Sequence, residues 1–146
     1  MEKLLIKLSN LITIKQDALI LDADSTYVVC NGKQDGSAHN VHYNNHGFHP
    51  LLVTEHISKT VLASKLRPGN KHCADGLENL LSFIFANGTT KNKNILLRAD
   101  SAFCNSTKIS LYEEYNLKYS VKLMRRDKTL GALINKLLLN ELSTCN

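Results

Sequence analysis

Along this chain the spacing of apolar residues switches between two periods, and each switch marks a new element. ALILDADSTYVV, residues 18–29, sets apolar and β-branched residues against polar ones at alternate positions and predicts one long strand. NGKQDGSAHN, which follows, is rich in turn formers, with Gly32 and Gly36. PLLVTEHI (50–57) and TVLASKL (60–66) predict two further strands. Too little chain separates them for a crossover helix, so they should pair antiparallel. RPGN then turns the chain at Pro68 and Gly69.

From Ala74 the period lengthens: ADGLENLLSFIFANG puts Leu77, Leu80, Leu81 and Ile84 on one helical face and stops at Gly88. NILLRADS is a strand, TKISLYEEYNL a short amphipathic helix, KYSVKLM another strand, and TLGALINKLLLNEL a last helix. Three meandering strands followed by β-α-β-α is the order of a ribonuclease-H-like α/β fold with a mixed sheet. Its first and fourth strands lie side by side. An amphipathic stretch over residues 1–17 precedes one domain over 18–146, and no internal repeat or linker divides it.

Composition narrows this only a little. With 146 residues, 43% hydrophobic and 21% charged, the chain suits one soluble domain with one core. No apolar run approaches the ~20 residues that span a bilayer, and the first twelve residues carry Glu2, Lys3 and Lys7. No membrane role and a cytoplasmic location are expected. Cys30, Cys73, Cys104 and Cys145 contain no C-x-x-C pair, which argues for reduced thiols over a disulfide or cysteine-zinc framework. The net charge of +5 favours an anionic partner. Basic residues gather at Lys65, Arg67 and Lys71, at Lys91 and Lys93, and at Lys122, Arg125, Arg126 and Lys128.

The chemistry is written most clearly in LDADST, residues 21–26. Residues two apart on a strand share a face, so Asp22 and Asp24 project the same way. Two carboxylates on one face of an apolar strand repel and call for a cation or for solvent. Asp100 ends the strand NILLRAD. If the two strands are neighbours, the acids converge as hard oxygen ligands suited to Mg²⁺ or Mn²⁺. Two such ions can activate a water or a 3′-hydroxyl and stabilise the leaving oxygen of a phosphodiester. D-x-D-x-T also opens haloacid-dehalogenase-type phosphatases, where the first Asp is the nucleophile. That family requires the strand to turn into a loop and helix after the motif, whereas TYVVCNGK reads on as strand.

HNVHYNNHGFHP, residues 39–50, holds His39, His42, His46 and His49 at zinc-like spacings. A histidine zinc site needs three or four ligands closing a tetrahedron, and spacing on a Gly- and Asn-rich connection does not provide one. The stretch is expected to be a hairpin beside the acids.

In fixed order, LDADST, NGKQDGSAHNVHY, GFHPLLV, ASKLRPGN and ILLRADSAF resemble the catalytic domain of DDE-type insertion-sequence transposases. The branch is DDE domain group 1, the 1380 group of insertion sequences, and the likeness spans about residues 18–125. It implies a DNA transposase that nicks element ends and joins them to target DNA with Mg²⁺ or Mn²⁺ in a two-metal site. Asp24 matches the first catalytic acid, with Asp22 the close second candidate, and Asp100 matches the second; Asp24 and Asp100 would hold metal. Lys33, Arg98, Arg67 and His42 are the expected DNA contacts.

The chain departs from the family in lacking the Y-x2-R-x3-E-x6-K signature that carries the third acid. Glu141 in the last helix is the remaining candidate. The expectation is the N-terminal half of a catalytic core, incomplete at its C-terminus and inactive alone. Its partners would be terminal inverted repeats, target DNA and a second copy of itself, at a bacterial nucleoid. A non-catalytic DNA-binding or dimerising remnant and a phosphatase are the alternatives.

Overall fold

The structure is a computed structural model that describes residues 7, 10–13, 16–32, 34–87, 90–91 and 93–122. Lys33, Gly88, the last predicted helix with Glu141, the cluster Arg125, Arg126 and Lys128, and Cys145 lie outside the described residues. Of the amphipathic N-terminal stretch, residues 10–13 are helical.

Five strands form the main sheet: β1 (Ala18–Ser25), β5 (Leu51–Glu55), β6 (Val61–Lys65), β7 (Asn94–Ala99) and β8 (Lys118–Val121), in the order β6-β5-β1-β7-β8. The β1–β5 and β5–β6 pairs are antiparallel, and β1–β7 and β7–β8 are parallel. Helix α1 (Leu77–Ala86) leads from β6 to β7, and α2 (Ser106–Glu114) from β7 to β8. This is the mixed sheet that the element order predicts. Among the described residues, no helix is long and apolar enough to cross a membrane.

The period-2 pattern of β1 turns Leu19, Leu21 and Ala23 into the core, where they join Leu51, Val53, Ile95 and Leu97 from the flanking strands. Leu77, Leu80, Leu81 and Ile84 of α1 cover them. Each of the leucine, isoleucine and valine side chains among them stabilises the fold by about 1.5–3 kcal/mol through the area it withdraws from water. The helix starts at Leu77, later than its apolar pattern suggests, because Gly76 takes a left-handed conformation (φ 82°) that closes the preceding turn. Asn105 caps α2 by accepting a hydrogen bond from the Lys108 N–H at 2.9 Å.

The long strand predicted over 18–29 is in fact two. It breaks after Ser25, and Val28–Val29 (β2) enter a second sheet of order β2-β4-β3, with β3 Ala38–Asn40 and β4 Asn45–Phe48. Pro50 explains the break. Its carbonyl accepts from Thr26 N–H at 3.2 Å, but it has no N–H to return, so the ladder between β1 and β5 ends there. Asn, His and Gly are poor strand formers, which hides β3 and β4 from the sequence pattern.

The second sheet is locked against the turn at 67–70. Gly69 donates to the Gly47 carbonyl at 2.9 Å, and a Cβ on Gly69 would lie 2.7 Å from both the Ala38 and Gly47 oxygens. A Cβ on Gly47 would strike the Val28 carbonyl and the Tyr27 ring. Because one obstacle is backbone, Gly47→Ala should destabilise the fold by roughly 2–4 kcal/mol through overpacking. The urea midpoint of the purified variant checks this; an unchanged midpoint would mean that the second sheet contributes nothing to cooperative folding.

Candidate active site

The parallel register of β1 and β7 builds the site. Asp22 is paired with Arg98 and Ala23 with Ala99. Carried one residue further, the same register sets Asp24 beside Asp100, on strands spaced about 4.8 Å apart. Both carboxylates are exposed at the carboxyl ends of their strands. Asp24 accepts from Ser25 N–H at 2.8 Å through Oδ1. Asp100 caps the 3₁₀ turn Ser101–Phe103, accepting from Ala102 N–H at 2.9 Å through Oδ1. Both acids are thus tied locally to backbone.

Asp22 has a different environment. Arg98 donates to it twice, Nε to Oδ1 at 2.7 Å and Nη2 to Oδ2 at 2.8 Å, in the fork geometry that makes arginine–carboxylate pairs strong. His56 Nδ1 lies 2.9 Å from the same Oδ2 and 2.6 Å from Arg98 Nη2. The imidazole tautomer selects its partner: a protonated Nδ1 donates to the carboxylate, a bare one accepts from the guanidinium. The Arg98 hydrogen bond holds the Asp22 carboxyl below its ordinary range, against the upward push of partial burial and with help from His56. The cation that two acids on one face require is therefore supplied to Asp22 by the protein itself.

His56 carries no signal in the sequence; it enters because its N–H bonds to the Ile20 carbonyl at 2.8 Å just past β5.

The other expected residues disperse. Arg67 is buried, 4% exposed, and donates to the backbone carbonyls of His49, His72, Cys73 and Asp75 at 2.5–3.1 Å. The expectation of a phosphate contact from Arg67 is corrected: its charge is spent holding the chain between β6 and α1. His42 is exposed in the β3–β4 turn, its ring packed at 85° on Tyr43. His39 and His46 face each other across β3 and β4 with ring centroids 5.5 Å apart. His49 is buried, its Nδ1 2.9 Å from the Lys71 carbonyl. Among the described residues no three of His, Cys, Asp and Glu gather as a metal set. Asp24 and Asp100 are two hard oxygen donors at open strand ends, which fits Mg²⁺ or Mn²⁺, ions that keep several waters.

The sheet order, with acids at the ends of β1 and β7, is that of a ribonuclease-H-like fold. The catalytic domain of Mos1 mariner transposase superposes with a TM-score of 0.52 at 11% identity, covering 94% of this chain and 70% of that one. The same domain solved with raltegravir and Mn gives 0.51 with the same identity and coverage. A chain of the simian T-cell lymphotropic virus intasome gives 0.50 at 13% identity, covering 89% of this chain and 43% of that one. At such identities the likeness is one of fold. No curated protein matches by sequence. The family is nevertheless defined: residues 2–142 match Transposase DDE domain group 1, and the chain belongs to that family of DNA transposases. Neither the match nor the fold supports a phosphatase, and the chain after Asp24 runs into β2 of a second sheet, with no helix following the motif.

Two outcomes are expected. Arg67→Met, which strands four carbonyls, should cost about 3–5 kcal/mol in urea unfolding, and DNA affinity per folded molecule should not change. Asp22, with its carboxyl lowered from 3.8, contributes stability that is present above that value and lost as pH falls through the lower folded-state value. The stability gap between wild type and Asp22→Asn should therefore be full at pH 7 and shrink below about pH 4. A gap that widens on acidification would contradict the Asp22–Arg98 pairing.

Proposed function

We propose that the chain supplies the two-aspartate half of a metal-dependent nicking and strand-transfer site that acts on insertion-sequence ends. The observation that carries this reading is the β1–β7 register, which sets exposed Asp24 and Asp100 on adjacent strand ends. Asp24 is the first catalytic acid and Asp100 the second, and both hold the divalent ion; a Mos1 transposase catalytic domain of the same fold is solved with Mn. When bound, that ion polarises the phosphodiester and generates the nucleophile.

Asp22 does not serve as a ligand. Arg98 occupies both of its oxygens, and Arg98 in turn is held to Asp22 and not free to meet DNA. Glu141, outside the described residues, is the candidate for the third carboxylate. The partner is DNA, consistent with a net charge of +5, in the nucleoid of a bacterial cell.

Titration with Mn²⁺ and a nicking assay on terminal-repeat DNA test the assignment together. Asp24→Asn and Asp100→Asn should each abolish Mn²⁺ binding and lower any nicking by about 10³-fold or more. Asp22→Asn should keep Mn²⁺ affinity within a few-fold while losing stability. Cleavage by wild type that disappears in Glu141→Gln would assign the third acid. DNA binding without cleavage at any metal concentration would favour the non-catalytic remnant that modulates an intact transposase. Mn²⁺ affinity that survives in both Asp24→Asn and Asp100→Asn would sink the site.

A further inference from the structure

The β3–β4 turn, residues 41–44, is built more firmly than an exposed connection needs to be. Asn40 Oδ1 accepts from His42 N–H at 2.9 Å and Tyr43 N–H at 3.2 Å, and Asn40 Nδ2 donates to the Gly69 carbonyl at 2.6 Å. Asn44 takes the left-handed conformation (φ 48°) that closes the turn. Tyr27 stacks on Tyr43 with ring centroids 4.3 Å apart and planes 3° from parallel, and its hydroxyl donates to the Asn45 carbonyl at 2.7 Å. The side chains so fixed face solvent: Val41 is 87% exposed and Tyr43 53%.

We infer that this turn is a stacking platform for an unpaired DNA base next to the reacting phosphate, with Tyr43 as the contact ring. Three observations select DNA as the occupant. The platform adjoins the acids: Tyr27 is three residues from Asp24, at most about 11 Å of chain. Residues 37–49 contain four histidines and no Asp or Glu, so nothing on the turn repels a polyanion. The exposed groups are the Tyr43 ring, stacked on Tyr27 on one side and met at 85° by the His42 ring, that imidazole itself, and a branched aliphatic. With His42 turned aside, they hold a base by stacking and wedge between steps without reading sequence. The rigidity then has a purpose, because a ring already stacked on Tyr27 loses little freedom when a base joins the stack.

The inference rests on the proposed action on DNA, and its test separates the two. The full 146-residue chain is mixed, in EDTA, with a duplex bearing a 3′ single-stranded overhang that contains 2-aminopurine. Wild type should quench the probe; Tyr43→Phe should retain the quench; Tyr43→Ala should lose it and bind about tenfold more weakly, the loss of one base–aromatic stack. Asp24→Asn should quench as wild type does, because stacking needs no metal. In parallel, photocrosslinking of a 5-iododeoxyuridine overhang to wild type should map to the peptide containing Tyr43, which removes any dependence on the folding of a variant. A crosslink elsewhere, or equal quenching by Tyr43→Ala, overturns the platform and leaves the metal site standing. Quenching by a chain whose Mn²⁺ affinity is unchanged in Asp24→Asn and Asp100→Asn does the reverse. If Tyr43→Ala instead changes only the oligomeric state, the turn is a contact between copies and the inference fails.

Discussion

The site depends on one register. In a parallel pair, residues of equal height present their side chains to the same face, so the offset between β1 and β7 decides which charges meet. Here it sets Asp22 against Arg98 and, two residues on, brings Asp24 to Asp100. A slip of one residue would turn Arg98 into the core and leave Asp22 unpaired on its face. The burial of Ile95 and Leu97 beside Leu19, Leu21 and Ala23 forbids that slip, because both would leave the core as Arg98 entered it. Burial on one face of the sheet thus fixes electrostatics on the other.

The second sheet answers a different constraint. It has little core of its own and is held by close backbone approach, with Gly47 and Gly69 in mutual contact, and by Arg67, whose guanidinium ties His49 beyond β4 to the segment entering α1. A basic residue in a motif that resembles a DNA-binding phrase serves here as a clamp. The guanidinium fork suits both tasks, since it can satisfy converging carbonyls as readily as phosphate oxygens.

What could be read from the sequence follows from which signals are local. The helix α1 and strands β5 to β8 rest on apolar periodicity; the strands fall where the pattern sets them, and α1 differs only in its later start after Gly76. The same-face placement of Asp22 and Asp24 needs only the pleat. The break after Ser25, by contrast, depends on Pro50, twenty-five residues away, and the roles of Arg98 and Arg67 depend on partners brought together by folding. His56 illustrates the limit: a single histidine after a strand carries no periodicity, and only the approach of its N–H to the Ile20 carbonyl reveals it. The four-histidine stretch is the converse, a strong local pattern that the hairpin distributes among a cross-strand pair, a tyrosine contact and a buried backbone hydrogen bond.

The distribution of charge between the two β1 acids explains why both can be present. An aspartate in the middle of a strand has neighbours on both sides and limited access to water, so it must be neutralised where it stands; Asp22, about one-third exposed, receives the guanidinium. Asp24 lies at the strand end, where solvent can carry its charge, and no arginine approaches it in the same fork. Had the arginine stood two residues further along β7, at position 100, it would have faced Asp24 and replaced the second exposed carboxylate. By neutralising the inner acid and leaving Asp24 and Asp100 in water, the fold keeps the unneutralised negative pair of the described site at open strand ends. There, mutual repulsion favours whichever cation arrives, and the strand geometry favours one that accepts oxygen from two sides.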